Sequence, residues 1–325
     1  MAEISYARAI REAMAEEMRR DDSVLLWGED VGAYGGVFGV TRGLYEEFGP
    51  RRVIDTPIAE TFIVGAALGA AITGLRPIVE LQFADFVTIA GDEMHNKLAK
   101  WRYMHGGHFS VPVVVRAPCG ALRGSGAEHS QCPEGQFLNS PGIKVVMPST
   151  PFDAKGLMKA AIRDDNPVLF LEHKGLYRVR GEVPEEDYVV PLGQAEVKRE
   201  GTDVTVIALS AYVRVALAAA EQLAAEGISV EVVDPRTLVP LDRDTIFASV
   251  EKTGRVVIVH EAPKTGGAGA ELAALIAEER FYALDSPPRR VAGKDVPLPQ
   301  SHYLESFCLP TDDDLLEAVR AVVRG

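Results

Sequence analysis

Glu60 is an acid at the mouth of a stretch that is otherwise apolar and small, "DTPIAETFIVGAALGAAITG" (Asp55–Gly74). A first-turn glutamate there could simply favour the positive end of a helix. The apolar residues that follow allow a second reading. A carboxyl in a dry pocket can hold a proton and share it with the ring nitrogen of a bound heterocycle. Two further stretches offer comparable chemistry. "WGEDVGAYGGVFG" ends a strand on Glu29 and Asp30 and continues as a glycine-rich loop, where the two acids could equally cap a helix or face solvent. "GALRGSGAEHSQCPEG" (Gly120–Gly135) has no regular period and carries His129 between Glu128 and Ser130. Long ordered loops of this kind are more often functional than not, although a loop histidine can also serve only nearby backbone. Cys132 lies three residues beyond His129, but no Asn or Asp is identifiable to orient a Cys–His nucleophile pair.

Other chemistries lose their main support. The sequence has no strand–GxGxxG–helix unit and no GxxxxGK[ST], which removes the usual phosphate cradles of nicotinamide and P-loop nucleotide enzymes. It has no HExxH or GxSxG, and its remaining histidines (His95, His105, His108, His173, His260 and His302) show no convincing ligand spacing. The formal net charge of -13 disfavours a phosphate-backbone ligand and suits a basic protein partner. Three widely spaced cysteines without a CxxC argue against a disulfide framework and a structural zinc, and fit a reducing, cytoplasmic setting. The N-terminus carries acids throughout and reads as a helix rather than a signal or transit peptide. The uninterrupted apolar run Phe62–Ile72 is far shorter than the roughly 20 residues a bilayer requires. Its Gly65 and Gly69 instead suggest a buried helix packed closely through small residues.

The elements that must position these side chains alternate between strand and helix. "SVLLWG", "RVIDT", "RPIVEL", "VPVVVRAP", "IKVVMPS" and "PVLFLE" read as short buried strands, with helical runs between them, including "FADFVTIAGDEMHNKLAKWRYM". A charged, Pro- and Gly-rich stretch around 181–194 reads as a linker, and alternation restarts with "DVTVIALS". The expectation is two α/β domains, 1–180 and 195–325, each a mostly parallel sheet covered by helices on both faces.

With these residues laid out, the whole chain resembles the β subunit of the thiamin-diphosphate-dependent first component of 2-oxo acid dehydrogenase complexes, of the transketolase-like superfamily. The resemblance rests on "LLWGEDVG", "GGVFGVTRGL", "RVIDTPIAE", "VGAALGAAITGLRPIVELQFADF", "RYMHGG", "EHSQCPEG", "VVMPSTPFDAKGL", "AAIRDDNPV" and "VVDPRTLVPLD". It implies an α2β2 heterotetramer with thiamin diphosphate between α and β, the α chain holding Mg2+ and the diphosphate through a GDG motif that this chain lacks. It further implies that Glu60 faces the aminopyrimidine ring nitrogen and that Glu29 supports it. Gln82 and Phe86 would then lie beside the ring, and His129 would assist the intermediate and its transfer to lipoamide. The reaction implied is decarboxylation of pyruvate or a branched-chain 2-oxo acid, with reductive acylation of the lipoyl group of a second component. That component would dock through its basic subunit-binding domain. The backbone carbonyls of Val113, Ala161, Asp164 and Asn166 would be candidates for a structural potassium site. The acetoin dehydrogenase β subunit and the C-terminal half of a split transketolase share the plan. "EHSQ" and "STPFDAKGL" favour the dehydrogenases over the latter. A non-catalytic scaffold chain is the remaining rival, and intact Glu60 and His129 argue against it.

Overall fold

The computed structural model describes residues 1–324, and they form two compact units. The first comprises Met1–Cys119 and Phe137–Leu192; the second comprises Gly120–Gln136 and the chain from Gly193 on. The loop Gly120–Gln136, with His129, therefore packs with the second unit although it interrupts the first in sequence.

In chain order the first unit contains β1 (Ala2–Ser5), α1 (Tyr6–Arg20), β2 (Val24–Gly28), α2 (Leu44–Phe48), β3 (Val53–Asp55), α3 (Glu60–Ile72) and β4 (Arg76–Glu80). It continues through α4 (Ala99–Met104) and β5 (Val114–Cys119), and after the loop and α5 (Glu134–Leu138) through β6 (Lys144–Val146), α6 (Pro151–Arg163), β7 (Val168–His173) and β8 (Arg180–Val183). Six of these strands lie in the order β6-β7-β5-β4-β2-β3, every neighbouring pair parallel. Such a sheet requires strands that are apolar on both faces, and β5 and β7 are buried at every residue. Helix α6 starts where Thr150 accepts a hydrogen bond from the Asp153 N–H at 3.1 Å and Pro151 occupies the first turn.

Three local features depart from the pattern read in the sequence. The apolar run 83–104 is not one helix but a 3₁₀ turn (Ala84–Thr88), a π-helical segment (Glu93–Leu98) and then α4. Gly91 lies between the first two pieces, and in the widened segment His95 stacks on Phe137 at 4.7 Å and bonds Ser140 at 2.9 Å. The stretch read as irregular beyond residue 180 begins with β8, which pairs antiparallel with β1. Helix α3 is only half buried: Ile63, Val64, Ala67, Leu68 and Ala71 face inward, while Phe62 is 58% exposed and a Cβ on Gly69 would meet no atom within 4 Å.

The second unit contains β9 (Glu196–Arg199), β10 (Val204–Ala208), α7 (Tyr212–Ala224), β11 (Val230–Asp234), β12 (Thr237–Val239), α8 (Arg243–Thr253) and β13 (Val256–Pro263). It ends with α9 (Ala268–Glu279), β14 (Arg289–Gly293), α10 (His302–Ser306) and α11 (Asp312–Arg324). Its five-stranded sheet has the order β14-β13-β10-β11-β9, parallel except for β9. Alternation along the strands builds two cores. Val204, Val206, Val257 and Val259 pack with α7 and α11, whereas Ile207, Val256 and Ile258 pack with α8 and α9.

Candidate active site

The C-terminal edge of the first sheet brings the acids together. Gly28 stands opposite Asp55 of β3 and Glu80 of β4, and Glu80 stands opposite Arg116 of β5. The chain must pass very close at Gly28, where a Cβ would lie 2.6 Å from the Glu80 carbonyl oxygen. The loop after β2 is tied back by Asp55, whose Oδ1 accepts from the Gly32 N–H at 2.6 Å, and by Thr41, whose hydroxyl donates to the Val31 carbonyl at 2.7 Å. The Thr56 N–H donates to the Gly28 carbonyl at 2.9 Å. Trp27 of β2 donates its indole N–H to the Ile63 carbonyl at 3.0 Å, which fixes the first turn of α3 over the end of β2.

These constraints bring Glu29 and Glu60 within electrostatic reach of each other. Glu29 is 3% exposed and Glu60 5% exposed. Glu29 Oε1 is buried with no hydrogen-bond partner among the described residues. Burial, and then the neighbouring carboxylates of Glu60, Asp30 and Glu80, push the Glu29 carboxyl up to about 7. The sequence suggested a raised proton affinity for Glu60; a raised proton affinity is found at its neighbour Glu29. Gln82 and Phe86 follow the end of β4 and are both half-buried. Phe86 meets Phe83 edge-on at 5.8 Å, and Phe83 meets Phe38 edge-on at 5.7 Å.

Beneath this edge lies a cluster that sequence reasoning missed. Arg116 is fully buried and donates from Nε and Nη2 to Glu172 at 2.7 and 2.8 Å, and from Nη1 to Glu80. Tyr177 donates its hydroxyl to the same Glu172 at 2.8 Å. A signal existed: "RPIVE", "VVVRAP" and "PVLFLE" each carry a charge (Glu80, Arg116 and Glu172) at or near the C-terminal end of an otherwise apolar run.

His129 is half-buried in the loop that packs with the second unit, and its backbone N–H faces the Gly126 carbonyl at 3.4 Å. That loop is held by Glu261, which accepts from the Ala121 N–H at 2.5 Å, and by Glu305, which accepts from the Gly124 N–H at 2.9 Å. The Cys132 sulfur lies 3.8 Å from the Glu261 carboxylate. Glu134 is buried, and burial followed by repulsion from Glu261 raises it to about 8. A cavity of about 570 Å³ adjoins the loop, lined among others by Cys132, Pro133, Glu261 and Gly267.

The four potassium candidates all lie in the first unit. The Val113 carbonyl accepts from Val168 N–H at 2.9 Å, the Ala161 carbonyl from Asp164 N–H at 3.3 Å, and the Asp164 carbonyl from Arg76 Nη2 at 2.7 Å. The Asp164 carboxylate accepts from the Asn166 N–H at 2.8 Å and pairs with Lys144.

Residues 2–180 match the family model for the transketolase pyrimidine-binding domain, and 193–315 match that for the transketolase C-terminal domain. The 2-oxoisovalerate dehydrogenase subunit beta of Bacillus subtilis is 50% identical, over 98% of this chain and 98% of its own length. The pyruvate dehydrogenase E1 component subunit beta of the same organism is 49% identical, over 99% of both chains. This chain belongs to the 2-oxo acid dehydrogenase β-subunit family. The family also reaches a B. subtilis acetoin:2,6-dichlorophenolindophenol oxidoreductase subunit beta, 49% identical over 96% of this chain and 95% of that one. Among solved structures, a split gene transketolase described as an inactive beta4 tetramer superposes with a TM-score of 0.80 at 26% identity, covering 99% of this chain and 98% of that chain. The gap between 26% and about half identity separates this β subunit from the transketolase alternative. Near-equal identity to three differently named relatives leaves the substrate of this family member unassigned.

Proposed function

We propose that this chain is the β half of a decarboxylating 2-oxo acid dehydrogenase, and that Glu29, Glu60, Gln82 and Phe86 hold the aminopyrimidine end of thiamin diphosphate. The observation that carries this is the buried Glu29–Glu60 pair, with Glu29 Oε1 left without a partner among the described residues. Two carboxyls and an aromatic face suit a flat heterocycle with a basic ring nitrogen and an amine. When bound, thiamin diphosphate supplies a carbanion nucleophile and an electron sink for decarboxylation. Glu60 exchanges a proton with the ring nitrogen, and its burial excludes the water that would compete for it. Glu29, which stays protonated to about pH 7, limits the pair to a single negative charge. Phe86 walls the ring, and Gln82 offers an amide donor and acceptor beside it. His129 assists acyl transfer to the lipoyl group of a second component.

The rest of the machinery belongs to partners. This chain has no GDG motif, so an α subunit in an α2β2 tetramer would hold Mg2+ and the diphosphate. Ile58, Phe62 and Ile89 are exposed around the start of α3, and an apolar surface there suits a partner subunit. The net charge of -13 suits the basic subunit-binding domain of the second component. Among the described residues no helix is long and apolar enough to cross a membrane, and all three cysteines are free. We assign a reducing compartment, the cytoplasm. At Val113, Ala161, Asp164 and Asn166, second lone pairs on the carbonyl oxygens would serve a structural potassium ion. Exchanging K+ for a bulky organic cation should then lower the melting temperature, and an unchanged value would remove the ion from this account.

The test is to assemble the chain with its α subunit and a lipoylated second component, and to assay pyruvate, branched-chain 2-oxo acids and acetoin. Glu60→Gln should leave assembly intact and abolish turnover. Normal turnover by that variant would end the proton-exchange role. Acetoin stays on the panel because one relative at 49% identity carries that name.

A further inference from the structure

We propose that the buried Glu80–Arg116–Glu172–Tyr177 network is a positioning device for the Glu29–Glu60 pair, in which Glu80 presents a fixed negative charge that keeps one proton on the pair. This rests on the reading of the pair given above. As a source of stability the network is poorly explained. Three buried ionisable groups, Arg116, Glu172 and Glu80, carry a desolvation cost that a set of apolar side chains of similar volume would avoid. One cation also serves two anions: Arg116 spends two N–H groups on Glu172 and a third on Glu80. Burial pushes the Glu80 carboxyl up, and the charge of Arg116 opposes this, so Arg116 is the group that holds the negative charge on Glu80.

Glu80 is the member that touches the site. It stands opposite Gly28, one residue before Glu29, where a Cβ would lie 3.2 Å from the Glu80 Cβ. Its Oε1 lies 3.6 Å from where a Cβ on Gly36 would be, so the loop that begins at Glu29 folds around it. The charged groups facing Glu29 are Glu60 from α3, Asp30 from its own loop and Glu80 from β4, all anions. Glu60 and Asp30 border the opening, whereas Glu80 is fixed from behind by Arg116. A second line of support runs through rings. Tyr177, held by Glu172, packs on Phe38 at 5.3 Å, and Phe38, Phe83 and Phe86 continue the column at 5.7 and 5.8 Å. The same network that sets the charge behind Glu29 therefore braces Phe86.

The test uses the full chain without cofactor. The infrared band of a protonated carboxyl that disappears in Glu29→Gln is titrated against pH in wild type, Glu80→Gln and Tyr177→Phe. Removing one facing anion should reduce the proton affinity of Glu29 about tenfold, a fall of about one pH unit in the midpoint. Tyr177→Phe keeps the ring column but strips one donor from Glu172. Arg116 is then drawn from Glu80, the anion behind Glu29 is less compensated, and the midpoint should rise, by less than one pH unit. If Glu80→Gln does not fold, Tyr177→Phe decides alone. Midpoints that stay in place while urea stability drops equally at every pH would reduce the network to scaffolding and overturn the proposal. Turnover by the α-assembled chain reads the function separately. A shifted midpoint without turnover of any 2-oxo acid would leave the network standing and remove the reaction; turnover with an unshifted midpoint would do the reverse.

Discussion

Replacing Glu29 by glutamine in the isolated chain should stabilise it above neutral pH and leave it unchanged below pH 4.5. The wild-type carboxyl titrates near 4.5 when exposed and at about 7 when folded. Between those values the folded state binds more protons than the unfolded one, so this group makes stability fall as pH rises, and above about 7 the loss is complete. At about 1.4 kcal/mol per pH unit the full cost of ionising Glu29 in place would be roughly 3 kcal/mol. The adjoining Asp30 is exposed, so solvent screening reduces this to about 1–2 kcal/mol. Glutamine has nearly the same shape and no charge, and it removes that cost. The assay is urea denaturation of both proteins from pH 4 to 8.5, comparing midpoints at equal slope. The difference should open between pH 4.5 and 7 and then level off. A constant difference at all pH values, or a less stable variant at pH 8, would refute the claim that an uncompensated proton is held at this position.

Four other outcomes follow from the same geometry. Gly269→Ala, at a helix position where alanine ordinarily gains up to about 1 kcal/mol, should instead cost about 1–3 kcal/mol by thermal or urea denaturation. Its Cβ would lie 2.6 Å from Nε2 of the buried His260. His260 is pushed down to about 4, first by burial and then by Arg290, so its contribution to stability is present above pH 6.5 and fades as pH falls from there toward 4. His260→Gln should flatten that part of the stability profile. Arg116→Met should cost about 3–5 kcal/mol, because it leaves Glu80 and Glu172 buried without their cation, and a loss under 1 kcal/mol would show that those carboxyls reach water. Calorimetric titration of thiamin diphosphate and Mg2+ into the lone chain should show no tight binding; tight binding would mean that the chain carries a complete cofactor site and would sink the two-chain reading.

How much of this was legible depends on which forces acted over short range. The α/β class was written in runs such as "VTVIA" and "VVIVHEA", where β-branched residues buried on both faces leave few alternatives to a parallel strand. The helix at Glu60 was equally plain, but its open side was not. Composition says that Phe62 and Gly69 avoid polar surroundings, yet whether this chain or a partner covers them is a property of the assembly. The segment 83–104 misled because its apolar spacing fits one helix, whereas His95 gains more from Phe137 and Ser140, 42 and 45 residues away, than from regular turns. Strand β8 was hidden for a similar reason, since its partner β1 lies at the other end of the unit.

The site shows the same division. Glu29 and Glu60 could be picked out because each acid breaks a local apolar or glycine-rich context. Their proximity, and the choice of Glu29 as the proton holder, depend on β2, β3 and β4 ending on one edge of the sheet. The Arg116 cluster escaped notice because each member, taken alone, reads as a charge where a strand surfaces. Only the parallel register that sets Glu80 opposite Arg116, with Glu172 two residues beyond Phe170 on the next strand, turns three strand ends into one buried network. A parallel sheet collects on one edge residues that lie 36 and 56 positions apart, so chemistry placed there is invisible to any window-based reading and becomes evident once strand order is known.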